Sequence, residues 1–193
     1  GAAMDKAKLE LGDDAKKKGV YEMKFTVKNF GDAAVSYDIG AYVMTEGVSD
    51  NKTNQGLTTV DEQGYILGGS KVEITSISGA EQNGMNITVG AGATANVTVT
   101  ITLSDADKKY LDDSFANGMY VEGYITLTAK SGTDISLNVP YLAFYGDWNV
   151  APLFDLDFYE TNADELDDSI AVEDKVMADA YASRPIGGVS EDY

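Results

Sequence analysis

Asn117-Gly-Met-Tyr-Val-Glu-Gly-Tyr-Ile-Thr-Leu-Thr128 and, after a polar link, Asp134-Ile-Ser-Leu-Asn-Val-Pro-Tyr-Leu-Ala-Phe-Tyr-Gly-Asp-Trp148 decide how this chain folds. In the first stretch Met119, Val121, Gly123, Ile125 and Leu127 alternate with Tyr120, Glu122, Tyr124, Thr126 and Thr128, the two-residue period of a strand with one buried face. The second starts the same way, Ile135, Leu137 and Val139 against Ser136, Asn138 and Pro140. Lys130-Ser131-Gly132-Thr133 between them has the composition that closes an antiparallel hairpin. Gly123, inside an inward-facing series, predicts close approach of a neighbouring backbone or a bulge, and Pro140 predicts an edge or bending position.

Further strands lie upstream. Ala7–Leu11 alternates and Gly12-Asp13-Asp14 turns the chain before the basic Lys16-Lys17-Lys18 loop. Tyr21, Met23, Phe25 and Val27 then face one way, with Glu22, Lys24, Thr26 and Lys28 opposite. Val35, Tyr37, Ile39, Ala41 and Val43 form the inward face of the next strand; its other face, with Tyr42 and Met44, is not fully polar. Gly47–Ser70 reads as a long connection with one short strand near Tyr65-Ile66-Leu67. Lys71–Ile77 and Asn86–Val89 are two shorter strands, and Val97, Val99, Ile101 and Leu103 mark another. A helix follows, with Ser104 as N-cap and Asp107 three residues on. Ala106, Tyr110, Leu111 and Phe115 fall near one face, and Asn117-Gly118 ends it. Short strands separated by Gly-, Asn- and Asp-rich turns predict an all-β fold, an immunoglobulin- or fibronectin type III-like antiparallel β-sandwich with one short crossover helix.

Composition narrows the chemistry. The 193 residues contain no histidine and no cysteine, which excludes Ser-His-Asp and Cys-His catalysis, disulfides, and zinc sites built on thiolate or imidazole. A net charge of −18, with Arg184 the one arginine, argues against nucleic acid, because phosphate binding needs clustered Lys and Arg. No apolar run approaches the roughly 20 residues that span a bilayer. Gly1 in place of an initiator Met fits a cleaved tag, so residues 1–4 read as a scar or leader and any targeting segment lies outside. Residues 5–160 read as the β domain. Residues 161–193, acidic and ending in Ser183-Arg184-Pro185-Ile186-Gly187-Gly188, read as a tail or linker into a following domain.

Three constellations bear on function. Carboxylate pairs such as Asp112-Asp113 and Asp167-Asp168 are the available catalytic material, but a glycosidase needs two carboxylates across a cleft, and these lie in polar runs typical of solvated faces. Asp155 and Asp157 begin a D-x-D alternation that suits calcium, although the third ligand, the glycine and the distal glutamate of an EF-hand loop are missing. No cofactor is expected. Tyr120 and Tyr124 share a strand face and, with Trp148, could stack on sugars, Tyr42 lying elsewhere; the plainer reading is that tyrosine suits half-buried strand positions. Three Asn-X-Thr sequons, at Asn51, Asn86 and Asn96, receive no function.

The opening stretches, with Ala151-Pro-Leu-Phe-Asp155, resemble the fibronectin type III-like domain that follows the catalytic domain in cell-envelope subtilisin-like serine proteinases, the lactocepins and complement-cleaving surface peptidases. In that family a strand reading NG-aromatic-x-EG-aromatic precedes one reading PY-x-x-F-x-GD, and both motifs stand here. Phe25-Thr-Val-Lys-Asn29 and Val89–Leu103 resemble its upstream strands more loosely. The resemblance covers residues 5–160. It implies a noncatalytic accessory domain at the surface or wall of a bacterium, packing on the protease catalytic domain of the same parent chain and supporting access of a protein substrate. No catalytic residue of the family maps onto this segment. The alternative is an independent adhesive or carbohydrate-binding module.

Overall fold

A computed structural model describes residues 1–51, 57–61, 63–132 and 134–149. The described elements, in chain order, are β1 (Ala2–Met4), β2 (Leu9–Asp13), β3 (Val20–Asn29), β4 (Val35–Thr45), β5 (Val48–Asn51), β6 (Leu57–Val60), β7 (Tyr65–Ile66), β8 (Lys71–Ser78), β9 (Glu81–Asn83), β10 (Asn86–Val89), β11 (Thr94–Thr102), α1 (Asp105–Ser114), β12 (Met119–Ala129) and β13 (Leu137–Tyr145). Two sheets stack. The smaller has the order β1-β3-β11-β8 and the larger β2-β13-β12-β4-β10-β9, with β7 added to β4 and a separate β5–β6 hairpin. This is the β-sandwich that the alternations predict, and α1 carries the chain from β11 of one sheet to β12 of the other.

The inward residues of both sheets make one core. Met23, Val27, Val97 and Val99 of the smaller sheet and Tyr37, Val121, Ile125 and Val139 of the larger are at most 2% exposed. Each buried aliphatic side chain contributes about 1.5–3 kcal/mol relative to exposure, so a charge introduced at Val99 or Ile125 would remove that gain and add an unpaired buried ion. Asn29 is the polar knot at one end. Its amide donates to the Ala33, Val89 and Gly90 carbonyls, its side-chain oxygen accepts from Gly31 N–H, and the residue is fully buried.

Several expectations are corrected. The N-terminal stretch divides between the sheets: β1 pairs antiparallel with β3, whereas β2 pairs parallel with β13, so the larger sheet is mixed. Gly12, read as a turn, lies inside β2 at φ +71 beside a register shift that leaves Leu11 without a β13 partner. Among its described residues Gly47–Ser70 holds three short strands, β5, β6 and β7. The β12–β13 connection runs longer than Lys130–Thr133, because Ile135 is 74% exposed and outside the strand; Ser136 Oγ accepts from Ala129 N–H instead. In α1 the Ser104–Asp107 capping box forms as predicted, but Ala106 faces solvent and Asp107 is buried. Asp107 also accepts from the Ser70 hydroxyl at 3.1 Å, tying the preceding loop to the helix N-terminus. Phe115, extended and buried, ends the helix; Gly118 at φ +87 then turns the chain into β12.

Candidate binding face

On β12 the outward residues are Tyr120, Glu122, Tyr124, Thr126 and Thr128, as the alternation requires, and the pairing of β12 with both β4 and β13 sets their neighbours. Tyr124 lies directly between Tyr42 of β4 and Pro140 of β13. Glu122 lies between Met44 and Leu142, and Ile66 of β7 continues that row beyond Met44. Tyr120 pairs with Phe144. Tyr42 and Tyr124 are 59% and 45% exposed, so two phenol rings stand side by side in solvent.

The third row is closed by a residue outside the strand. Trp148 lies with its ring centroid 5.0 Å from Phe144 and 5.5 Å from Tyr120, and Tyr120 meets Phe144 edge-on at 5.4 Å. Edge-to-face aromatic contacts of this kind are favourable at such separations. Phe144 is therefore buried although it belongs to an outward row. Trp148 is fixed by its backbone N–H, which donates to the Asp13 carboxylate at 3.0 Å, and remains 56% exposed.

Close backbone packing beneath the face depends on glycine. A Cβ on Gly123 would lie 1.9 Å from the Tyr42 carbonyl oxygen, and its φ of +151 is one that other residues rarely adopt. Through this gap the Tyr141 hydroxyl donates to the Tyr42 carbonyl at 2.9 Å. Burial pushes the Tyr141 phenol well above its usual range, with the Glu122 carboxylate adding to the shift. Close approach at Gly123 is what its place in an inward series predicts. Pro140 precedes the β13 residues that pair with β2, which begin at Tyr141, so this part of β13 is an edge.

The structure thus brings Tyr120 and Trp148 into contact and sets Tyr124 on the same face two rows away, beyond the row of Glu122. Tyr42, expected elsewhere, is the direct neighbour of Tyr124. Sequence reasoning missed its place, along with those of Met44, Leu142 and Ile66; the incompletely polar face of β4 was the available signal, but only strand pairing shows that it continues onto β12. Asp155 and Asp157 lie outside the described residues, as does the segment read as an acidic tail.

Of the carboxylates weighed for catalysis, Asp112 and Asp113 have structural partners, and Asp167 and Asp168 lie outside the described residues. Asp112 pairs with Lys17 at 2.7 Å and accepts from the Tyr145 hydroxyl at 3.3 Å, and Asp113 pairs with Lys109 at 2.6 Å. Burial, then Asp112, pushes the Tyr145 phenol up to about 12. A cavity of about 500 Å³ between Gly79–Glu81 and Ala93 contains one carboxylate, Glu81, among its lining residues. No cluster of His, Cys, Asp and Glu able to hold a metal occurs among the described residues, and no described helix is long and apolar enough to cross a membrane.

Comparison with known proteins gives a family for this arrangement. No curated protein matches the sequence. Among solved structures the chain is similar to the ASH/PapD-like domain 7 of human CEP192, at 6% identity over 76% of this chain and 85% of that one, with a TM-score of 0.43. It is also similar to the secreted serine protease VesC from Vibrio cholerae, at 14% identity over 75% of this chain but 23% of VesC, with a TM-score of 0.38. The CsuC–CsuE chaperone–tip adhesion subunit complex of Acinetobacter baumannii gives 10% identity over 86% of this chain and 66% of that one, with a TM-score of 0.37. The family model of the Fn3-like domain matches residues 9–142, from the start of β2 into β13 and so across both sheets. The matched residues leave out only β1 and the end of β13 among the described strands, and the chain belongs to the Fn3-like domain family.

Proposed function

We propose that this Fn3-like domain is a noncatalytic accessory module of a secreted or cell-wall-associated bacterial subtilisin-like serine protease, packing on the protease domain and supporting substrate access. The observation that carries the reading is the fit between the two resemblance motifs and one continuous ladder, Met119 opposite Tyr145 through to Leu127 opposite Leu137. The motif glycines Gly118, Gly123 and Gly146 all have positive φ, and at each an added Cβ would meet other atoms within about 3 Å. Tyr141 and Phe144 of the second motif make the cross-strand hydrogen bond and the aromatic contact described above. The motifs therefore specify a particular hairpin, and their pairing points to the family in which both occur together.

The test lies in the natural gene upstream of this segment. The expected result is a reading frame carrying the Asp, His and Ser blocks of a subtilisin-like catalytic domain; their absence overturns the proposal. Deleting this domain from the parent is expected to leave cleavage of a short peptide largely intact while slowing cleavage of a folded protein substrate.

The side-by-side exposure of Tyr42 and Tyr124 favours a second reading, an independent adhesive or carbohydrate-binding module. Titration of the isolated chain with soluble cell-wall polysaccharide, read by Trp148 fluorescence, separates the two. Saturable binding lost in Tyr124→Ala supports the second reading, and no binding removes it.

A further inference from the structure

The two outer faces of the sandwich meet the same solvent but differ in chemistry. On the smaller sheet the outward residues of β3, β11 and β8 include Glu22, Lys24, Asn96, Thr98 and Ser76, paired across strands as ordinary polar neighbours. On the larger sheet the outward positions around Glu122 hold Tyr42, Tyr124, Met44, Leu142, Pro140 and Ile66, and the face turns polar at Thr126, Asn138 and Thr128. Were tyrosine present only because it suits strands, it would populate both outer faces; among the described residues the outward strand tyrosines lie on the larger sheet. An apolar and aromatic patch confined to one face has the composition of an interface core.

Glu122 decides what kind of surface fits. It sits within the patch between Met44 and Leu142, and no described residue forms an ion pair with it. Lys8, just before β2, pairs with Glu10, whose partner on β13 is Leu142. Covering the patch with a purely apolar partner would strand a carboxylate out of water, which is costly; a Lys or Arg placed opposite relieves that cost. The aliphatic members, with Ile66 at 65% exposure, add area that a folded protein surface covers well and that sugar stacking does not use.

We infer that the outer face of the larger sheet, centred on Tyr42, Tyr124 and Glu122, is the docking surface for a folded protein domain that presents apolar side chains around a Lys or Arg. Its identification with the protease domain of the parent chain rests on the function proposed above; the face itself does not. Hydroxyl-radical footprinting of this chain alone and of the full-length product of its gene tests it. Expected is a several-fold slower oxidation of Tyr42 and Tyr124 in the full-length protein, lost in Glu122→Lys, weakened in Glu122→Gln and unchanged in Thr98→Lys on the opposite face. Equal oxidation in the two proteins overturns the docking face, whatever catalytic blocks the gene encodes. Protection of the isolated chain by soluble polysaccharide, or by raising its own concentration, also overturns it, in favour of a glycan or a second copy. Protection without subtilisin blocks upstream keeps the face and discards the protease reading.

Discussion

The Tyr141 hydroxyl donates to the Tyr42 carbonyl at 2.9 Å, joining β13 to β4 across the intervening strand β12. The bond exists because Gly123 has no side chain: a Cβ there would sit 1.9 Å from the acceptor oxygen and 3.2 Å from the Tyr141 hydroxyl. Gly123→Ala is expected to destabilise the fold by about 3–5 kcal/mol, from backbone strain together with forced separation of β4 and β12. Tyr141→Phe leaves the space and removes the donor, with an expected cost of about 1–3 kcal/mol. Urea denaturation of both variants measures the order; Tyr141→Phe costing more than Gly123→Ala would contradict it.

Alkaline pH should find a weakness in the core. Tyr21, Tyr141 and Tyr145 all have phenol pKa values raised first by burial, that of Tyr145 to about 12 from an ordinary 10.0. The fold holds the protonated form, so these groups contribute fully below pH 10, where the unfolded chain is also protonated. The contribution of Tyr145 is lost as pH rises through about 12, and those of Tyr21 and Tyr141 at still higher pH, because the unfolded state releases its phenol protons first. A near-ultraviolet absorbance titration should show the buried tyrosines ionising together with loss of the circular dichroism signal. Their ionisation in a folded protein near pH 10 would refute this.

Two aspartates on one helix should differ sharply. Asp107 is buried, caps the Ser104 backbone N–H and accepts from Ser70, whereas Asp113 forms an exposed pair with Lys109. Asp107→Ala should cost about 1–2 kcal/mol and loosen the loop before β8. Asp113→Ala should cost no more than about 0.5 kcal/mol. Thermal unfolding compared with the unaltered chain gives the ranking, and equal losses would show that the capping network adds nothing.

Asn29→Ala should be among the more damaging small changes. It removes donors to three carbonyls and an acceptor for Gly31 N–H in a fully buried place, with an expected loss of about 3 kcal/mol or more. Asn29→Asp keeps the shape but brings acceptors against carbonyl acceptors, and it should be equally harmful at neutral pH. Denaturant midpoints for the two variants check this; a near-native midpoint for the aspartate would count against the assigned donors.

Strands with strict alternation were readable because one face is uniformly buried: β3, β4, β11 and β12 keep their predicted inward residues. The short strands β1, β5, β6 and β9 were not, since three or four residues carry too little period to stand out from a loop. The candidate face was half legible. Tyr120 and Tyr124 follow from local alternation, and Trp148 from its proximity to β13, but Tyr42 joins them through a pairing between residues 82 positions apart that no local pattern encodes. Ile135 was misplaced for a related reason. The alternation extends one step beyond the last residue that has a strand to pair with.

The parallel pairing of β2 with β13 bears on force. Because both strands run the same way, tension applied at the start of β2 and the end of β13 slides one along the other, and every hydrogen bond between them is loaded at once rather than peeled in turn. A domain joined to neighbours through these two strands would yield by abrupt rupture at a high threshold, a property suited to a segment that must hold its neighbours in place under flow or traction. Replacing Leu142, which sits at the register shift, by proline removes a donor from β13 and should lower the rupture force in single-molecule pulling.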